Sequence, residues 1–171
     1  MATNSDMPRY LLRNCTIFVD RVSKIGQASE MTLPVPTEKL EEMRNAGMVM
    51  PIDVMMGYEK PEAGFKMSGF DPQVIKLFGL AVGVEKEFMI TGALAHEDGT
   101  ILNATAYIRG RLNKHDPGSW KPGDAAENDF GITFRYYRLE VAGETLIEMD
   151  PFEVKIGGTS QTGGLRAALL A

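Results

Sequence analysis

Ile101-Leu102-Asn103-Ala104-Thr105-Ala106-Tyr107-Ile108-Arg109-Gly110-Arg111-Leu112 is the stretch whose reading decides the fold. Leu102, Ala104, Ala106, Ile108 and Leu112 share one phase, and Asn103, Thr105, Tyr107, Arg109 and Arg111 occupy the other. Successive side chains of a strand point to opposite faces. The pattern therefore predicts an antiparallel strand with one packed face and one face in water or against a partner. Upstream, Phe88, Ile90 and Leu94 repeat the alternation, and Glu97-Asp98-Gly99-Thr100 reads as the hairpin turn between the two runs.

The same period extends along the chain. Ile52, Val54, Met56 and Tyr58 alternate, followed by Ala63, Phe65 and Met67. Ile132, Phe134 and Tyr136 hold one phase, and then Tyr137, Leu139 and Val141 hold the other. A phase switch inside a strand predicts a bulge or a strand covered on both faces. Ala142-Gly143 turns the chain toward Thr145–Met149, and with the runs at 15–19 and 22–33 the pattern predicts about eight strands. One short helix is signalled by Asp71 as N-cap, Pro72 at the first helical position and Gly79 beyond the end. Thr37–Ala46 reads as either a helix or an ordered loop, because Pro34, Pro36 and Gly47 flank it. The fold class is thus mainly β: a single β-rich, antiparallel domain with one short flanking helix. The domain is expected at 1–156, with 1–7 as a flexible extension and 157–171 as a glycine-rich tail.

At 171 residues the chain matches one domain and needs no disulfide or metal staple. Eighteen basic and 23 acidic residues leave a net charge of −5. That argues against a protein that grips a phosphate backbone with clustered Lys and Arg. A single cysteine, Cys15, excludes an intrachain disulfide framework, and two histidines with one cysteine are poor material for a structural zinc site. No apolar run near the N-terminus resembles a signal peptide and none reaches membrane-span length, so cytoplasmic synthesis without membrane anchoring is expected.

Little in the sequence points to chemistry. His115, Asp116 and Ser119 supply the residue types of a hydrolase triad, but they lie within five residues, whereas triad members come from separate elements. Gly157-Gly158 and Gly163-Gly164 match no phosphate-binding loop. Glu140, Glu144, Glu148, Asp150 and Glu153 flank a hairpin and read as a solvated or partner-facing edge in preference to a calcium or acid–base site. No catalytic residue, metal or cofactor is expected. Met48, Met50, Met55 and Met56 suit adaptable packing between subunits as well as a core. The strands carry few prolines or charges to blunt their edges, which points to assembly.

Three stretches together resemble one family. Met31-Thr32-Leu33-Pro34, continuing through Lys39-Leu40-Glu41, Arg44-Asn45-Ala46-Gly47-Met48 and Pro51-Ile52-Asp53-Val54 to Met56-Gly57, is similar to the front half of the major tail tube proteins of contractile-tailed phages and R-type pyocins. Asp116-Pro117-Gly118-Ser119-Trp120-Lys121 with Gly123-Asp124 is similar to the family's loop before the last long strand. Tyr136-Tyr137-Arg138-Leu139-Glu140-Val141, Gly143-Glu144 and Glu148-Met149-Asp150-Pro151 resemble its closing hairpin. Order and spacing agree across residues 8–155.

The resemblance implies a small single-domain antiparallel β-sandwich or barrel with a flanking helix, hexameric rings, inner strands of neighbours joined into one large barrel around a channel, and rings stacked into a tube that a contracting sheath drives forward. It implies itself, the tail sheath protein, the tube initiator or baseplate and the tail terminator as partners, with phage DNA passing through the lumen without specific binding. It also implies a place in the virion tail, assembled in the host cytoplasm. By alternation Asp53, Glu59 and Glu62 are the candidates for the lumen, with Lys66 breaking the acidic pattern. Residues 37–50 and 116–124 are long for loops in a compact domain. They make Lys39, Leu40, Glu41, Met43, Arg44, Met48, Trp120 and Lys121 candidates for contacts between subunits or rings. The tube of a DNA-free contractile particle would pose the same demands on the subunit. A monomeric ligand-binding β-barrel is the reading from another class, and light scattering separates it.

Overall fold

The computed structural model describes residues 10–123 and 126–170; the extension expected at 1–7 and Asp124 of the expected loop lie outside the described residues. In chain order the elements are β1 (Leu11–Val19), β2 (Val22–Ser23), β3 (Ala28–Thr32), β4 (Glu38–Met43), β5 (Ile52–Tyr58), β6 (Ala63–Ser68) and α1 (Pro72–Ile75). They continue with β7 (Lys86–Ala95), β8 (Ile101–Asp116), β9 (Glu127–Val141), β10 (Glu144–Met149), β11 (Val154–Ile156), β12 (Thr159–Ser160) and α2 (Gly163–Ala168). Every ladder is antiparallel.

Ten strands form one sheet in the order β12-β11-β10-β9-β8-β7-β1-β2, with β6 also on β9 and β3 on β6. The fork lies in β9. Its first half, Glu127–Ile132, pairs with β6, its last residues, Tyr137–Val141, pair with β10, and β8 lies along its other side. The sheet curls until β3 approaches β1, but no ladder joins them, so the barrel is not closed within the chain.

The packed face is the one the alternation marks. Ala106, Ile108 and Leu112 of β8 are buried with Ile17, Val19, Phe65, Met67, Phe88, Ile90, Phe130, Ile132 and Tyr137. Two bulges keep the long strands in phase with this core. Arg109 pairs with Tyr136 and Gly110 with Phe134, which leaves Arg135 as the extra residue on β9. That insertion is the phase switch seen in the sequence: Phe130 and Ile132 point inward before it, and Tyr137 after it. The second bulge lies on β8, where Leu112 pairs with Ile132 and Lys114 with Gly131, leaving Asn113 over. His115 thereby turns inward and stacks on Phe130 at 4.9 Å, and Phe130 stacks on Phe65 at 5.0 Å.

Gly110 sits where the first bulge draws the strands together. A Cβ there would press on the Thr133 carbonyl oxygen and the Phe134 Cα, both backbone atoms that cannot swing away. Gly110→Ala is expected to destabilise the unassembled subunit by about 1–3 kcal/mol in urea denaturation, the range typical of overpacking.

The helix begins as its sequence demands. The Asp71 side chain accepts the Gln73 amide as N-cap, Pro72 occupies the first turn, and Val74 is buried under the sheet. The cap is also half of a buried ion pair: Lys24 Nζ lies 2.6 Å from Asp71 Oδ2, with the Lys24 side chain only 5% exposed. Burial opposes ionisation of Asp71, but the Lys24 hydrogen bond, the Gln73 amide and the Lys24 charge outweigh it and hold the carboxyl below its ordinary 3.8. A depressed carboxyl pKa contributes stability that is present above the unfolded value and lost as pH falls through the folded one. Asp71→Asn, which keeps a capping side chain, should therefore flatten the loss of stability between about pH 5 and pH 2, measured by denaturation at a series of pH values.

Three elements differ from the sequence reading. The segment 37–46 is neither helix nor loop: Glu38–Met43 is strand β4, paired with β5 in a separate two-stranded ribbon. Every residue of β4 is exposed, so no buried stripe was there to reveal the element. The single expected helix is joined by a second, α2, and the short pairings of β2, β11 and β12 raise the strand count above the expected eight. Gly157 and Gly158, at φ 55° and 76°, form the turn between β11 and β12, the conformation a tight hairpin requires and glycine supplies at least cost. No helix among the described residues is long and apolar enough to cross a membrane.

Candidate assembly interface

The length of β8 creates the first candidate surface. β7 pairs with β8 only through Gly110, and one bridge from Phe78 covers Leu112. Among the described residues, the stretch from Asn113 to Asp116 has β9 on one side and no strand on the other. At the opposite end of the run β3-β6-β9-β8, β3 is paired among the described residues by β6 alone. Two open edges thus bound a four-stranded segment, and neither holds a proline. An unpaired edge offers a row of N–H and C=O groups to another chain.

The face of this segment away from the core is charged. Lys66 Nζ lies 2.6 Å from Glu30 Oε2, and Lys114 Nζ lies 2.6 Å from Asp129 Oδ2. Lys66 and Asp129 are directly opposite each other on β6 and β9. The Glu30 hydrogen bond and charge raise the pKa of Lys66, and those of Asp129 raise that of Lys114. Glu127, Asp116 and Arg111 are exposed on the same outer phase. Glu62 precedes β6 in the phase of Lys66 and is exposed too. The four partners of this row come from four strands far apart in sequence, and only Lys66 was singled out by alternation.

The ribbon is the second surface. Leu40 pairs with Met55, and Met43 with Ile52, on opposite faces of β4–β5. Leu40, Met43, Ile52, Met55 and Met56 are each 44% exposed or more. Glu42 faces Asp53 directly, an unfavourable like-charge pair. The ribbon thus leaves apolar side chains bare on both of its faces. Replacing Leu40, Met43, Ile52 and Met55 by serine should leave the subunit folded, with a stability change below about 2 kcal/mol, and abolish tubes in negative-stain micrographs.

The other expected residues scatter. Lys39 and Glu41 are exposed on β4. Arg44 and Met48 close the tip of the ribbon, where Arg44 Nε donates to the Met48 carbonyl at 3.4 Å. Trp120 is 71% exposed and meets Phe70 edge-on at 4.9 Å, and Lys121 is exposed beside it. Asp53 lies on the ribbon, and Glu59 at its base, where its amide donates to the Thr37 carbonyl. Asp53 therefore lies on the two-stranded ribbon, whereas Glu62 precedes β6 of the larger sheet.

A third feature escaped the sequence reading. On the far face of β1, β7, β8 and β9, a cleft of about 580 Å³ is lined by Phe18, Met89, Tyr107, Arg109, Tyr136 and Arg138 among others. Arg138 lies over the Tyr107 ring at 4.6 Å, and Arg109 over Tyr136 at 5.7 Å. Burial and then its hydrogen bond to Glu148 raise the pKa of Tyr136. The outward phase of Tyr107 and Arg109 was legible, but the cation–π pairing of neighbouring strands was not.

The triad residue types do separate work. His115 Nε2 faces Asn128 Oδ1 at 3.2 Å inside the stack, and Asp116 Oδ1 accepts the Gly118 amide. Ser119 is exposed. Among the described residues no three His, Cys, Asp or Glu side chains gather as a metal site would need.

A β-rich subunit with open strand edges, a charged outer face and a projecting apolar ribbon defines an assembly protein. The profile of the family described as phage tail tube protein FII matches residues 9–169. The chain belongs to that family and is a tail tube subunit of the kind found in contractile phage tails and related injection systems. It is 30% identical over 161 residues to the tail tube protein of Escherichia phage P2, covering 91% of this chain and 93% of that one. It is also 30% identical over 141 residues to the major tail tube protein of Serratia phage KSP20, covering 81% of each. Both relatives are tail tube proteins.

Among solved structures, a chain of the sheath/tube terminator of an extracellular contractile injection system in its extended state aligns at a TM-score of 0.58 and 12% identity. The alignment covers 80% of this chain and 99% of that one. A chain of the anti-feeding prophage baseplate aligns at a TM-score of 0.55 and 11% identity, covering 83% and 99%. At such identities the likeness is one of fold.

Proposed function

We propose that six copies of this chain form a ring in which the open edge of β3 in one copy pairs with the free end of β8 in the next. The single observation that carries this reading is the four-stranded run β3-β6-β9-β8 with an unpaired edge on each side. Backbone groups left unpaired at such edges are satisfied when a ring closes the sheet. The core side of the run is covered by the rest of the domain, so its charged face lines the channel. Glu62 lies on this wall, and the ribbon, which continues β3 and β6, carries Asp53 and Glu59 along it. The ribbon reaches the adjacent ring, and Lys39, Leu40, Glu41, Met43, Arg44 and Met48 make the stacking contacts, with Trp120 and Lys121 at a neighbouring joint. The tail sheath covers the outside, the baseplate or tube initiator starts the stack, and the terminator ends it. Assembly takes place in the host cytoplasm and the finished tube sits in the virion tail.

The channel passes phage DNA without binding it. The net charge of −5 is repeated in every copy, and at physiological salt only charges within about 8 Å act strongly on a passing polyanion. The wall is therefore what matters, and on it Glu30, Glu62, Asp116, Glu127 and Asp129 outnumber Lys66, Arg111 and Lys114. A wall of like charge keeps the DNA sliding. Both phage relatives favour this reading over a DNA-free particle. Replacing Asp53 and Glu59 by lysine should leave tube assembly intact and slow genome ejection severalfold, measured by dye-labelled DNA release. Normal ejection from particles shown to carry the variant would reject the proposed role of the wall.

A further inference from the structure

We propose that Glu30 at the β3 edge of one copy forms an ion pair with Lys114 at the β8 edge of the next, and that this pair sets the register of the joint between subunits. The inference rests on the ring reading above and names the contact that would make it specific.

Across the outer face the signs alternate by strand: Glu30 on β3, Lys66 on β6, Asp129 on β9 and Lys114 on β8. Lys66 lies between two acids and Asp129 between two bases. The end members are different. Among the described residues Glu30 has its basic partner on the β6 side alone, and Lys114 its acidic partner across the strands on the β9 side alone, with Asp116 further along its own strand. Both side chains keep more than half of their surface exposed, 57% and 56%. A row that starts negative and ends positive continues unbroken when copies stand side by side.

Strand direction agrees with this arrangement. Each of the three ladders β3–β6, β6–β9 and β9–β8 is antiparallel, so β3 and β8 run in opposite directions. A head-to-tail joint between β3 and β8 then extends the sheet with the same antiparallel pairing, as a heterologous contact that closes into a ring.

Charge also rejects the wrong registers. A slip of one residue at the joint would set the outward Lys114 against Met31, which faces the core beside Phe65, so the pleats of the two strands would not match. A slip of two that puts Glu30 opposite Asp116 sets like charges against each other, which is destabilising for directly opposed residues. One exposed ion pair contributes little by itself, but this one recurs at every joint of every ring.

The test uses two charge reversals, Glu30→Lys and Lys114→Glu, in the full-length chain. Each alone places like charges at every joint and should raise the protein concentration needed for tubes about tenfold. An equimolar mixture of the two should assemble within about threefold of the wild-type concentration, because alternating copies restore an opposite pair at each joint. Within one chain β6 and β9 lie between β3 and β8, a gap of about 14 Å across three strand spacings. Rescue in the mixture therefore reports a contact between copies. Circular dichroism confirms that each variant is folded. Should a reversal unfold the subunit, Glu30→Gln and Lys114→Gln carry the test, and the two combined should weaken assembly no more than either alone. Either reversal assembling like the wild type, the mixture assembling no better than its components, or additive losses in the glutamine pair would overturn the ion pair. A wild-type chain that forms neither rings nor tubes would instead overturn the ring reading itself.

Discussion

Backbone groups at the ends of the sheet must find partners, and that constraint organises everything else in this protein. β8 is 16 residues long and β7 is 10, so the last turnless stretch of β8 outruns its neighbour. β3 has the same deficit at the other end of the run. A soluble monomer would blunt such edges with prolines, lysines or a covering element. Here β3 carries Glu30 as its one charge, and the surplus length of β8 ends in a pair of opposite charges, Lys114 and Asp116. Both edges are kept open and marked.

The interior serves those edges. The bulges at Arg135 and Asn113 let two long strands run past one another while their apolar residues stay on a single core. Without the second bulge Lys114 and His115 would exchange faces, and the charge row would lose its end member. The stack of His115, Phe130 and Phe65 crosses β8, β9 and β6 beneath the charged face and ties the three strands together. At the other end of the core, Lys24 and Asp71 fasten α1 to the sheet. A buried pair of this kind is costly to desolvate and more costly to break. Its place at the helix cap gives it a defined geometry, with the carboxylate shared between Lys24 and the Gln73 amide.

Where side chains had a buried side, the sequence was informative. The strand at 101–112, the phase switch after Tyr136, the Ala142-Gly143 turn and the Asp71 cap are each visible because burial, or a demand on φ and ψ, selects residue types locally. The ribbon at 38–58 is the counterexample. Both of its faces are bare in the isolated chain, so β4 shows charges and apolar residues in no clear period, and only pairing with β5 makes it a strand. The contact candidates expected there were chosen because the segment is long for a loop, and in the structure those on β4 are exposed.

The strand character and inward phase of the long strands, the capped start of α1 and the acidic balance were determined by the sequence alone. All of these depend on neighbours along the chain or on composition. Tertiary structure alone decided which strands end without a partner and which charges meet. Glu30, Lys66, Lys114 and Asp129 lie up to 99 positions apart, and no periodicity links them. They form a row because the fork in β9 sets β6 and β8 on its two sides, and the register of each ladder follows from packing the opposite, apolar face. The charged outer face is thus positioned by the core behind it, which is why it could not be read until the strands were paired.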